Sequence, residues 1–210
     1  MLNSIFSSTG YLGSEFLTEY NSIKEYLSNT LSTKRFVHSV GTAKTAEKLA
    51  ILYEVDSKKA YLAGLVHDCT RETDIIVQSN MLKALGIVVD EFTLTTKELL
   101  HAITAEYLMI NEFNIYDEEI ISAVKFHTIG RENMTMLEKI IFLADVIEPS
   151  RNFPGIDYIR QLARSNIDEA LLAAFESSIK FLLGKGQIIH PNTLLARNYI
   201  LKHFKGKEMG

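Results

Sequence analysis

The chain has 210 residues, 47% of them hydrophobic, and sets 22 Lys and Arg against 26 Asp and Glu for a net charge of −4. It is long enough to bury one substantial core, and it lacks the basic field with which a general nucleic-acid binder displaces counterions. The lone Cys69 rules out an intramolecular disulfide, and the start Met1-Leu2-Asn3-Ser4 has no basic, signal-like character, so the expected location is the cytoplasm.

Residues 1 to 13, rich in Ser, Thr and Gly, read as a flexible lead-in. A helix is expected from about Ser14 to Ser28, with Phe16, Leu17, Tyr20, Ile23 and Leu27 along one stripe. The next runs from Lys34 to Glu54 and carries His38 in its first turns. Asp56 or Ser57 caps a helix from Lys58 to His67. After Asp68 comes a turn, then a helix that Thr73 starts and Gly86 ends.

Thr95 or Thr96 opens the helix that carries His101 to about Phe113. Asp117-Glu118-Glu119 places acidic groups at the positive end of a helix ending at Phe126-His127. Thr135 caps the helix that holds Asp145 and stops before Pro149. Further helices span Ile156 to Arg164, Asp168 to Leu183 and Asn192 to Phe204, with a flexible tail at 205 to 210. No period-2 strand, repeat or linker interrupts this order. The reading is all-α, one helical domain over residues 14 to 204. The most apolar stretch, Ile140 to Ile147, is far shorter than the ~20 residues of a spanning helix and contains a carboxylate, so no membrane partner is expected.

His38, His67, Asp68, His101, His127 and Asp145 fall at or inside the ends of five separate helices. Singly, each histidine reads as a hydrogen-bonded core or surface residue. Asp145 is harder to explain that way, because an ionised carboxylate buried among Ile, Phe and Leu needs a cation, donors or a metal. A helical bundle can turn six such groups to one centre. Imidazole with carboxylate suits Fe, Mn, Co or Zn. Two divalent ions against two carboxylates leave a cationic pocket suited to a polyphosphate, and a metal-acidified water would supply the nucleophile without Ser or Cys. Cys69 beside Asp68 is read as packing.

The order His, His-Asp, His, His, Asp resembles that of the HD-domain metal phosphohydrolases. Arg35-Phe36-Val37-His38-Ser39-Val40-Gly41, Ala63-Gly64-Leu65-Val66-His67-Asp68-Cys69, Phe126-His127-Thr128-Ile129-Gly130-Arg131, Leu137 to Pro149 and Lys185-Gly186-Gln187-Ile188-Ile189-His190-Pro191 resemble its YqeK branch in particular, over roughly residues 30 to 200. That branch comprises the bacterial symmetrical bis(5′-nucleosyl)-tetraphosphatases, which split diadenosine tetraphosphate into two ADP with iron in the site. The resemblance implies an HD-type bundle with a central metal site. His38, His67, Asp68 and Asp145 would hold a first metal. His101 and His127 would either hold a second, bridged by Asp68, or contact the substrate phosphates. One or two iron ions are implied, with Mn, Co or Zn as substitutes, and a metal-bound hydroxide would attack an inner phosphate.

Arg35, Arg71, Lys125, Arg131 and Arg151 are the nearby cations in sequence, with Arg35, Arg71 and Arg151 the candidates for the phosphates and His190 for the nucleoside. Arg71 stands where related sequences often have Lys, which keeps the charge and changes its geometry. Competing readings are an HD phosphohydrolase for another nucleotide, a di-iron oxygenase and a non-catalytic nucleotide sensor. An apolar helix face could also pair two subunits as a homodimer.

Overall fold

The computed structural model describes the backbone of residues 9–208 and the side chains of residues 20–203. Among the described residues there is no strand. The helices are α1 (Thr9–Thr30), α2 (Thr33–Leu52), α3 (Ser57–Val66), α4 (Ile75–Leu85), α5 (Glu91–Thr95), α6 (Lys97–Asn111), α7 (Glu118–Lys125), α8 (Met136–Ile147), α9 (Ile156–Leu162), α10 (Ile167–Gly184) and α11 (Pro191–Glu208). None is long and apolar enough to cross a membrane. Of the expected lead-in, residues 1–8 lie outside the described residues and 9–13 fall within α1; of the expected tail, 205–208 continue α11 and 209–210 lie outside.

Side-chain oxygens set most helix starts by accepting the backbone N–H groups that a first turn leaves without partners. Ser32 caps α2, Asp56 caps α3 through Lys58 and Lys59, and Asp117 caps α7. Thr135 and Glu138 form a reciprocal capping box on α8. Some starts differ from the sequence reading, α1 beginning at Thr9 rather than near Ser14. Asp74, one residue on from Thr73, caps α4. The five-residue α5, capped by Asp90, is not anticipated at all, because Phe92-Thr93-Leu94-Thr95 is too short to show a period and rich in β-branched threonine.

The core is organised on α8. Ile140, Ile141, Leu143 and Ala144 are fully buried, and each large aliphatic side chain so placed contributes roughly 1.5–3 kcal/mol. Phe142 packs against Phe175 of α10 with ring centroids 4.4 Å apart. Gly130, in the turn after α7, has φ +66°, and a Cβ there would come within 2.6 Å of Phe175 Cζ. Against this layer α2 and α3 meet through small residues: Ala43, Ala46 and Ala50 on one side, Ala60, Ala63 and Gly64 on the other. A Cβ on Gly64 would lie 2.8 Å from Ala43 Cα. Here the obstacle is backbone, which cannot swing aside as a side chain can. That approach sets the C-terminal end of α3 beside the middle of α2.

Gly64→Ala should therefore force α2 and α3 apart and cost about 1–3 kcal/mol, the usual range for overpacking a close contact. Thermal unfolding should show a lowered Tm; an unchanged or raised Tm would mean that the contact relaxes freely.

Candidate metal centre

The histidines at the ends of α3 and α7 are placed by the same device. The last carbonyls of a helix have no intrahelical partner. His67 follows α3 and its Nδ1 lies 2.7 Å from Gly64 O; His127 follows α7 and its Nδ1 lies 2.6 Å from Val124 O. A carbonyl can only accept, so each ring carries its hydrogen on Nδ1 and turns the Nε2 lone pair inward. His38 on α2 reaches the same state differently, with Nδ1 3.0 Å from the carboxylate oxygen Glu148 Oε1.

These lone pairs converge with carboxylates. His38 Nε2 lies 3.2 Å from His67 Nε2 and 2.9 Å from Asp145 Oδ1. Asp68 Oδ2 is 3.6 Å from His38 Nε2 and 3.4 Å from His67 Nε2, whereas its other oxygen, Oδ1, is 3.0 Å from His101 Nε2 and 3.8 Å from His127 Nε2. His101 Nε2 and His127 Nε2 are 3.2 Å apart. Asp68 thus stands between two histidine pairs and offers one oxygen to each. The ligand atoms of His38, His67 and Asp145 all lie within 4.8 Å of one another, as do those of His67, Asp68 and His127.

Neutral imidazole lone pairs facing each other and facing carboxylates repel unless a cation or proton lies between them. Ligands about 2.0–2.2 Å from one ion are separated by roughly 3–3.5 Å from each other; His38 lies 3.2 Å from His67 and 2.9 Å from Asp145, close to that size, and His67 and Asp145 are a little wider at 3.8 Å. The donor set of imidazole nitrogen and carboxylate oxygen matches first-row divalent metals. By donor chemistry and spacing, the residues present fit a metal.

His101 differs from the other three. Its Nδ1 is 3.0 Å from Arg71 Nη1 and 3.3 Å from Lys97 O. Accepting from Arg71 puts the hydrogen on Nε2, where it donates to Asp68 or a phosphate; donating to Lys97 O frees Nε2 to ligate. Both alternatives of the sequence reading thus have a partner at Nδ1, and Arg71 favours the hydrogen-bonding one.

The centre's electrostatics follow from this crowding. Burial pushes the Asp68 and Asp145 carboxyls up, yet His67 and His101 hold Asp68, and His38 and Arg151 hold Asp145, well below the usual carboxylate range. Burial also lowers His67, but the charges of Asp68 and Asp145 outweigh it and leave the ring above its ordinary value. Burial, reinforced by His67 and His101, pushes His127 down to about 3. Burial likewise lowers His101, with Asp68 opposing.

Two of the expected phosphate-binding arginines border the carboxylates. Arg35 Nη1 is 2.7 Å from Asp68 Oδ2. Arg151 Nη2 pairs with Asp145 Oδ1, and its Nε donates to Asp145 O at 2.9 Å. Arg71 reaches the centre through His101. Arg131 is turned elsewhere, held 2.9 Å from the buried Glu138. His190 makes no hydrogen bond to the six residues; its Nδ1 accepts Asn192 N at 3.1 Å at the start of α11, and its ring faces Phe92 at 6.3 Å. Cys69 is buried packing, its thiol pushed up by burial. Glu148 has a contact that the sequence reading did not identify. Its signal was a second carboxylate three residues after Asp145, quoted there only as part of a motif.

Comparison with known proteins places this geometry. The HD domain model matches residues 35–150. A symmetrical bis(5′-nucleosyl)-tetraphosphatase of Halalkalibacterium halodurans is 39% identical over 171 residues, covering 81% of this chain and 91% of that protein. One from Bacillus subtilis is 37% identical over 177 residues, again covering 81% and 91%. A solved structure from Clostridium acetobutylicum, described as a predicted HD superfamily hydrolase involved in NAD metabolism, superposes with a TM-score of 0.84 at 40% identity over 88% of this chain and 97% of that one.

The depressed His127 sets a sign for metal-stripped protein. A ring at about 3 when folded, against an ordinary 6.5, adds stability that is complete above the unfolded value and is lost as pH falls towards the folded one. His67, raised, has the opposite sign, so a single variant isolates His127. Urea unfolding at stepped pH should show the wild type's advantage over His127→Gln shrinking between about pH 7 and 4; a pH-independent difference would refute the buried neutral ring.

Proposed function

The chain belongs to the HD-domain family and, within it, to the symmetrical bis(5′-nucleosyl)-tetraphosphatases, and on that footing we propose that it hydrolyses diadenosine tetraphosphate into two ADP at a divalent-metal centre. The observation that carries the reading is Asp68, whose two oxygens face two histidine pairs. His38, His67, Asp145 and Asp68 would hold one ion; His127 and Asp68, joined by His101 in its Nδ1–H form, would hold a second. Iron is the proposed metal, with Mn, Co or Zn able to substitute at these donors. Divalent ions so held would supply a water acidified to near pKa ~7 and draw charge from a phosphoryl oxygen.

The chain's own groups do the rest. Water adds at an inner phosphorus and the bond from that phosphorus to the central bridging oxygen breaks, so each half leaves as ADP. Charge then grows on the departing oxygen. Arg35 and Arg151 each use part of their guanidinium on an aspartate and have further N–H groups to offer phosphate oxygens. Those aspartates hold the two forks at the rim, so less side-chain freedom is lost when phosphate arrives. Arg71, accepted by His101 Nδ1, leaves that ring with an Nε2–H for a phosphate oxygen in its hydrogen-bonding form. His190 beside Phe92 is proposed on the nucleoside side, outside the ligand set. The cytoplasm, where this nucleotide is met, is the proposed location.

Two measurements test the reading. Nucleotide chromatography after incubation with diadenosine tetraphosphate and Fe²⁺ or Mn²⁺ should show ADP alone, with full turnover under anaerobic conditions. ATP with AMP, or faster hydrolysis of another nucleotide, would move the assignment to a different phosphohydrolase. Asp68→Ala, verified for fold and metal content, should lose well over the ~100-fold typical of removing a mere outer partner of a metal ligand. Retained turnover would remove Asp68 from the reaction.

A further inference from the structure

Gly41 lies one turn after His38 on the same face of α2, in the middle of a helix where glycine is unfavourable relative to alanine. The reason for it is across the interface. A Cβ on Gly41 would come within 2.6 Å of Glu148 Oε2. Glu148 is only 1% exposed, and its carboxylate is fully engaged: Oε1 faces His38 Nδ1 at 3.0 Å and accepts Ser150 Oγ, while Oε2 accepts Ser150 N–H at 2.8 Å. Arg160 ties down the surrounding backbone, donating to Ile147 O, Glu148 O and Arg151 O at 3.0 Å each. The carboxylate therefore has no free direction in which to yield.

We propose that Glu148 and Gly41 form one positioning unit for His38: the carboxylate holds the ring in its Nδ1–H form with Nε2 aimed at Asp145 and His67, and the missing side chain at 41 is the space that carboxylate occupies. The inference rests on the metal-centre reading above. Carboxylates that accept the outer N–H of a metal-bound histidine commonly affect metal affinity 10–100-fold. Glu148 is buried behind His38 and Gly41 packs on Glu148, so both act through His38. In Glu148→Gln the amide oxygen can still accept His38 Nδ1–H, but the amide nitrogen then meets the Ser150 N–H as donor to donor. The isosteric change is thus disruptive without removing volume.

Co²⁺ alone is the probe, followed by calorimetry and by its visible ligand-field absorption, with no substrate present. Glu148→Gln and Gly41→Ala should each weaken Co²⁺ binding about 10–100-fold and alter the spectrum. Glu148→Ala should do likewise. The two sites should not add: Gly41→Ala placed on Glu148→Ala should change Co²⁺ affinity no further and should raise Tm, because the obstacle is gone and alanine suits the helix. A second readout needs no metal. Imidazole ¹⁵N shifts should report a hydrogen on Nδ1 of His38 in the wild type and its loss towards Nε2, which faces Asp145, in Glu148→Ala. Wild-type affinity and spectrum in Glu148→Gln, or fully additive losses in the double variant, would overturn the unit while leaving the metal centre standing. Failure of the wild type to take up Co²⁺ would overturn both.

Discussion

The constraint on which this structure depends is a concentration of like partial charge. Imidazole lone pairs and two carboxylates are turned to one centre at separations near 3 Å. Left alone, such a cluster repels itself, and burial makes the repulsion stronger because little water screens it. It persists because each group is held from behind. The end of α3 holds His67, the end of α7 holds His127, and Glu148 holds His38. The hydrogen bonds that fix the rings are also the ones that point their basic nitrogens inward.

Most of the bundle can be read as support for that arrangement. The glycine-alanine seam between α2 and α3 brings the helix bearing His38 against the helix ending at His67. The apolar α8 carries Asp145 from the core to the edge of the centre, where its side chain stays partly exposed. The turn after α7 passes over Phe175 at Gly130, which fixes the exit of the chain from His127. Arg35 and Arg151 then close the rim with positive charge, so an anion approaches a site bordered by guanidinium groups whose directions are already set.

A good part of this was legible in the chain. The helices with a clear 3.6-residue stripe or a capping residue were placed closely, and Asp145 stood out because a carboxylate inside Ile140 to Ile147 demands a partner. α5 was not legible, since five residues show no period and their threonines favour other conformations. Neither was the use of the cations. Arg131 follows His127 nearly as closely in sequence as Arg35 precedes His38, yet it is held by Glu138 across the α7–α8 turn, whereas Arg35 reaches Asp68. Sequence adjacency carries no information about which way a long side chain turns.

By itself the sequence determined the all-α class, the six candidate ligands and, through the match of its motifs to the family, the chemistry expected of them. Those are properties of residue type and local period, and they survive without coordinates. Only the tertiary structure decided that Asp68 turns one oxygen towards each histidine pair, that Glu148 stands behind His38, that His101 shares its outer nitrogen with Arg71, and that His190 stays outside the cluster. Each depends on contacts between helices distant in sequence, whose directions are set by packing rather than by the residues beside them.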